Sequence, residues 1–380
     1  MYSNIRLLDC INRPKDLIDK AIELGLSGIA ITDHECLSAH MEINQYAKEL
    51  QSTHPEFTIA LGNEIYLTET RDKGQKYYHF LLMAKDAIGH RALRELSSIA
   101  WTNSYEDRRM ERVPTLKSEL SEIVNKYKGH LIATTACLGG ELSTEALALI
   151  DCESVGDLMN ANIHHQAIIN FIAYCKNLFG DDFYIECAPS NKSDQTKVNK
   201  ELQSIAQHFG IKMVVGTDAH YLTAKDRFVH KSYLNSKGGE REVDDFYQYS
   251  YLQSNEEIQE NLNKSFDNTF FNHVGVMFAN SMDIYNKIEN YDLRHKQTIP
   301  KVEVKDYPKT VWRSEQTKEF PTLASMYNSD DKVERYWVNQ CVDKLTELGL
   351  RKKEYLDRLE EEADIKRTIG EKLETNMFSY

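Results

Sequence analysis

The chain has 380 residues, 41% hydrophobic and 28% charged, which is the composition of an ordinary globular protein with room for one large domain and a smaller one. Its net charge of −13 disfavours loose binding to phosphate backbones, so any nucleic-acid contact must come from a local basic patch or an attached partner. No apolar stretch approaches the roughly 20 residues that span a bilayer, and no signal peptide heads the chain, so a cytoplasmic protein without membrane contact is expected. Seven scattered cysteines without a C-x-x-C pair read as reduced thiols rather than a disulfide framework or a zinc ribbon.

The elements alternate from the start. A helix is predicted from Pro14, placed to open it, to Leu24; a strand over 28–32; a helix over 37–50; and a strand over 57–61. Strand 79–83 precedes a helix near 89–100, strand 130–135 precedes a longer excursion and a helix at 164–178, and strand 183–187 precedes helix 194–209. Strand 211–216 leads into a helix from Ala224 to about Asn235. After Gly238 and Gly239 the alternation stops. Residues 1–237 therefore read as a β/α barrel, 238–330 as a connecting helical and extended segment, and 331–380 as a helical appendage with dense charge pairing such as Glu354 with Arg358. A barrel of this kind should open with a strand, yet only Met1 to Ile11 precede the first helix.

The chemistry concentrates at the predicted strands. Asp33 and His34 follow the 28–32 strand, Glu64 follows 57–62, His79 starts a very apolar strand, Cys137 follows 130–135, and Asp218 and His220 follow 211–217. Each has an ordinary reading as a loop histidine, a surface acid, a core histidine or a small buried thiol. Asp9 lies close before the first helix, where carboxylates are also common as caps, and Glu186 reads as a capping or orienting acid. In a parallel barrel, however, strand C-termini converge on one face, so residues far apart in sequence can meet there. Asp218-Ala-His220 adds an i, i+2 pair projecting to one side of an extended backbone. Imidazole, carboxylate and thiol without C-x-x-C point to a multinuclear hydrolytic centre that activates water and clamps phosphate oxygens.

The motifs Ile-Thr-Asp-His34, Gly-Asn-Glu64-Ile-Tyr, His79-Phe-Leu-Leu-Met-Ala, Thr-Ala-Cys137-Leu-Gly-Gly-Glu and Thr-Asp218-Ala-His220-Tyr-Leu resemble the polymerase and histidinol phosphatase (PHP) domain. They look most like the version at the N-terminus of the alpha subunit of bacterial DNA polymerase III and its phage relatives, and Tyr355 to Arg367 looks like the helix leading into the polymerase palm. The resemblance implies a distorted (β/α)7 barrel of PHP type followed by a mainly helical C-terminal segment. It implies metal-ligand roles for Asp9, His34, Glu64, His79, Cys137, Asp218 and His220, holding two or three zinc or manganese ions, with exonuclease or phosphoesterase activity. The family's opening strand carries His-x-His shortly before a Tyr-Ser pair. Here Tyr2-Ser3 follows Met1, so that strand is expected to be missing and the site impaired. The palm carboxylates are absent too, so the expected partner is the remainder of the polymerase, through which alone DNA would be engaged. Two alternatives are a free-standing phosphoesterase resembling histidinol phosphatase and a non-catalytic scaffold that docks a separate polymerase chain.

Overall fold

A computed structural model describes residues 10–107, 110–236, 246–266, 272–295, 303–373 and 377–378. Asp9, with the rest of residues 1–9, lies outside the described residues. The chain forms two compact units, Met1–Arg294 and His295–Tyr380.

The strands of the first unit are β1 (Gly28–His34), β2 (Thr58–Thr68), β3 (Tyr78–Ala84), β4 (Tyr105–Asp107), β5 (Met110–Arg112), β6 (Pro114–Leu116), β7 (Leu131–Thr134), β8 (Phe183–Cys187) and β9 (Met213–Val215). Its helices are α1 (Pro14–Glu23), α2 (His40–Leu50), α3 (Ala87–Thr102), α4 (Lys117–Lys126), α5 (Glu141–Ser154), α6 (Leu158–Phe179), α7 (Ser193–Phe209), α8 (Arg227–Asn235), α9 (Asn255–Leu262) and α10 (His273–Lys287). The curled main sheet has the order β1-β2-β3-β7-β8-β9, with β6 extending it beside the end of β2, while β4 and β5 pair separately. The fold is α/β, as the alternation predicts.

Not every strand runs the same way. β3 is antiparallel to both β2 and β7, whereas β1–β2, β7–β8 and β8–β9 are parallel. Residues 69–77 are too few to carry a helical crossover, so β3 returns directly alongside β2. This reversal departs from the all-parallel pattern of a regular barrel, and the sheet curls as a half-barrel from β1 to β9.

Period-two alternation gives the sheet two faces. Ile29 and Ile31 of β1 point outward onto Leu17 and Ile18 of α1 and Ile43 of α2, all buried. Ile65, Leu67, Phe80 and Leu82 point outward onto Leu93 and Leu96 of α3. Each such side chain contributes about 1.5–3 kcal/mol by leaving water. The alternate positions, Ala60, Met83, Ile132, Tyr184 and Val214, form a separate inner core with Ala30 and Leu81. Ile284 of α10 and Ile288 just beyond it pack into this inner core and seal the end of the curl remote from the strand C-termini. The polar side of α10 is pinned as well: Lys287 Nζ lies 2.7 Å from Tyr184 Oη, 3.2 Å from Asp182 and 3.3 Å from Asp283.

The second unit contains α11 (Ser314–Glu319), α12 (Pro321–Tyr327), α13 (Lys332–Glu347) and α14 (Lys353–Leu373) around a core that includes Leu323, Met326, Trp337, Val338, Leu359 and Ala363. The Glu360 carboxylate accepts the Thr322 and Leu323 N–H groups at 2.6 and 2.9 Å, capping α12 where Pro321 opens it. Arg367 makes a forked pair with Glu334 at 2.8 and 2.7 Å. The expected Glu354–Arg358 pair does not form. Arg358 turns toward Glu361 and Glu362, where two carboxylates are in reach instead of one. No helix among the described residues is long and apolar enough to cross a membrane.

Candidate metal centre

The inner face of the sheet turns polar toward the strand C-termini. On β1 the inward positions run Ala30, Thr32, His34; on β2 they run Ala60, Gly62, Glu64, Tyr66; on β3 they run Met83, Leu81, His79, in reverse order because the strand is inverted. Register then decides which residues meet. His34 is the direct partner of Glu64, and Tyr66 is the direct partner of His79. The result is that His34, Glu64 and His79 bring one ligand atom each to within 4.8 Å of one another. His79 Nδ1 stands 2.8 Å from Glu64 Oε1.

Cys137 joins this group from the β7–α5 loop, with Sγ 3.4 Å from His79 Nδ1. Two glycines make that approach feasible. A Cβ on Gly139 would fall 2.9 Å from His79 Nδ1, and one on Gly140 would fall 2.1 Å from the Thr135 carbonyl. The Gly139 carbonyl also accepts the His79 N–H at 3.0 Å, so loop and strand are locked together.

Glu64, Cys137, Glu186 and Asp218 all line the polar end of a cavity of about 410 Å³ that continues along the inner face past Ala30, Ala60, Met83 and Val214 to α10. His220 sits two residues beyond Asp218, buried, with its ring against His230 and Tyr247. Its Nδ1–H donates to the Asp218 carbonyl at 2.8 Å, which makes Nε2 the ring atom that carries the lone pair. Asp33, although buried, stands at an odd position on β1 and so faces away from the inner surface that carries His34. The tight three-residue cluster therefore takes His34, Glu64 and His79 from the expected set, with Cys137 adjoining and Asp218 on the shared cavity.

Residues 1–190 match the family model of the PHP domain. The chain belongs to the PHP family. Along its whole length it is 38% identical to the DNA-directed DNA polymerase of Bacillus phage SPbeta and, equally, to the Bacillus subtilis protein YorL, a DNA polymerase by name. It is 28% identical over 81% of its length to DNA polymerase III subunit alpha of Borreliella burgdorferi. The chain spans 30% of the length of the first two relatives and 24% of the third. Among solved structures, a Bifidobacterium adolescentis protein described as a metal-dependent phosphoesterase aligns with 68% of this chain and 93% of its own at 16% identity, with a TM-score of 0.34.

Within this PHP domain, four residues around the cluster were given no role by the motifs. Tyr66 stacks on His34 with ring centroids 5.1 Å apart and lies 5.4 Å from His79, walling the imidazoles on one side. Glu35 follows His34, is fully enclosed, and accepts the Tyr66 N–H with its carboxylate. Burial pushes its carboxyl up to about 8, against the pull of that hydrogen bond and with a further push from Glu64. Trp101 Nε1–H of α3 donates to the Glu35 carbonyl at 2.6 Å and so fixes the loop after β1. The fourth is Thr134, whose hydroxyl donates to Glu186 at 2.5 Å. Its position within an apolar strand gave no sign of this contact.

Backbone strain gathers at the same place. Among the described residues the non-glycines with positive φ are Glu35 (49°), Ala136 (58°) and Asp218 (44°). One follows His34, one precedes Cys137, and one is itself a candidate ligand. Left-handed backbone costs an L-residue roughly 1–2 kcal/mol and persists where the surroundings enforce it.

The residues suit a divalent cation. Two imidazoles, carboxylates and a thiol form a donor set that zinc or manganese accepts. Among the described residues, those lining the cavity include no lysine or arginine to balance Glu64, Glu186 and Asp218. Burial chiefly, aided by Glu64 and Asp218, pushes Glu186 up to about 7 against the Thr134 hydrogen bond. The Cys137 thiol is pushed upward by burial and then by Asp218 and Glu64. A bound cation nearby would oppose both shifts and favour the deprotonated forms, of which the Cys137 thiolate is the ligating one.

Proposed function

We propose that this chain is the PHP-domain end of a replicative DNA polymerase related to DNA polymerase III alpha, carrying a metal-dependent phosphoesterase site. What carries the reading is the convergence of His34, Glu64 and His79 at adjacent strand ends in a PHP chain whose whole length aligns with polymerases. His34, Glu64 and His79 would form one group of ligands; Cys137, Asp218 and His220 would complete it, with Asp9 from before α1. When bound, two or three zinc or manganese ions supply Lewis acidity toward phosphate oxygens and make water a nucleophile near neutral pH.

The protein's own groups prepare that chemistry. Tyr66 holds the His34 ring, the loop of Gly139 and Gly140 holds His79 and Cys137 together, and the Asp218 carbonyl sets the His220 tautomer. The remainder of the polymerase is the partner, and DNA is engaged through it.

Elemental analysis of the purified chain before and after chelation tests the proposal, followed by hydrolysis of a single-stranded oligonucleotide with manganese or zinc restored. The expected result is two or more equivalents of metal and chelator-sensitive cleavage that Asp218→Asn with His220→Ala abolishes. Metal at stoichiometry without cleavage would leave a metal-stabilised scaffold. No retained metal would refute the site.

A further inference from the structure

Glu186 is a buried carboxylate outside the ligand set. It stands on β8 inside the curl, where Thr134 Oγ1–H on the neighbouring β7 donates to its Oε2 at 2.5 Å. The same hydroxyl oxygen accepts the Ala136 N–H at 3.4 Å. The Glu186 N–H donates to Thr135 Oγ1 at 3.0 Å, tying the two strands a second time. Ala136 is held at φ +58° and immediately precedes Cys137. Glu186 thus anchors the hydroxyl that anchors the strained turn before the thiol.

The carboxylate is confined from its other side too. It lies across the backbone just beyond β9, where a Cβ on Gly216 would fall 1.7 Å from Glu186 Oε1. A carboxylate fixed between β7 and β9 in this way has no freedom to swing, and neither has the hydroxyl it accepts from.

We propose that Glu186 is a positioning residue for Cys137: by clamping Thr134 it fixes the turn at Ala136, and the turn sets where Cys137 Sγ stands relative to His79. The clamp needs an acceptor of this shape and not a negative charge, which distinguishes it from a ligand. Its consequence for metal binding rests on the metal-centre reading above, but the clamp itself does not.

The test uses the full chain as wild type, Glu186→Gln, Glu186→Ala, Thr134→Val and Gly216→Ala, each shown to be folded by circular dichroism. Cobalt(II) is titrated while the thiolate-to-cobalt charge-transfer band is followed, with Cys137→Ser as the blank. Glu186→Gln should behave as wild type, because its amide oxygen accepts the same bond. The other three variants should weaken cobalt binding about tenfold or more, the loss expected when a ligand's support is removed, and diminish the band.

The second readout is alkylation of Cys137 in the metal-free chain, resolved by peptide mass spectrometry. Its rate should rise about tenfold in the same three variants and stay unchanged in Glu186→Gln. Wild-type behaviour of Glu186→Ala in both measurements overturns the proposal. So does an equal loss in Glu186→Gln and Glu186→Ala, which would make the charge itself the requirement. If wild type gives no cobalt band, the metal-centre reading fails while the alkylation rates still decide the role of Glu186.

Discussion

Lowering the pH from about 7.5 to about 5 should cost the folded chain roughly 2 kcal/mol through His90 alone. His40 Nε2 is 3.0 Å from the Gly62 carbonyl and His40 Nδ1 is 3.0 Å from His90 Nε2. The carbonyl can only accept, so His40 donates from Nε2 and must accept at Nδ1 from His90. A further proton on His40 would set two donors against each other. Burial, then the neighbouring histidine, lowers His40 to about 3, and burial followed by Arg94 lowers His90 to about 4. In the unfolded chain both titrate near 6.5. Because the folded values are the lower ones, the stabilisation is whole above about pH 6.5 and is lost as pH falls toward about 4 for His90 and about 3 for His40. At about pH 5 the unfolded state gains roughly 1.5 pH units of proton binding, about 2 kcal/mol per histidine, a large share of a typical stability of about 5–15 kcal/mol. Urea unfolding of wild type and His90→Gln at both pH values reads this directly. The variant should lose about 2 kcal/mol less than wild type on acidification. Glu35 and Glu186, whose raised values act in the opposite sense, are common to both proteins and cancel in the difference. Parallel losses in the two proteins would refute the neutral-pair argument.

Other perturbations separate the site from its frame. His79→Ala should raise the dissociation constant for zinc by about tenfold or more by competition with a chromogenic chelator, because both Glu64 and Cys137 lose their shared neighbour. Stripping metal present at about a hundred times its dissociation constant should lower unfolding free energy by about 2.7 kcal/mol per site, seen as a lower melting temperature that returns on reloading. Ile31→Ala, emptying a fully buried position between β1 and α2, should cost about 2–5 kcal/mol in urea unfolding while leaving metal stoichiometry unchanged.

Much of the barrel was legible because buried strands announce themselves as short apolar runs with a helical period between them. His34, Glu64 and His79 each have an ordinary reading alone, and stood out only because such residues recur together at successive strands. The direction of β3 was not legible. The run from Tyr78 to Ala84 reads the same forwards and backwards, and only the short connection before it excludes a crossover. β2 also runs on to Thr68, past the expected end, since Ile65 and Leu67 continue the outward apolar alternation beyond Glu64. Tyr66, Thr134 and Glu35 escaped notice because their roles depend on register between strands. The three positive-φ positions carry glutamate, alanine and aspartate, so no glycine marked them. Residues 273–288 gave no hint that α10 and Ile288 would close the inner core, because that contact is set by the shape of the curl and not by a local pattern.

The inverted β3 also orders the assembly of the centre in time. Pairing β2 with β3 closes only the loop at 69–77, whereas β1–β2, β7–β8 and β8–β9 each require a helix to be spanned first. Loop-closure entropy favours the local hairpin, so Glu64 and His79 come together early in folding, while Cys137 and Asp218 arrive only as the later strands are added. Pulse-labelled amide exchange during refolding should then protect residues 62–67 and 78–83 ahead of 213–215. A metal ion offered during refolding would meet half a site first, and would act as a template on which the rest of the sheet closes.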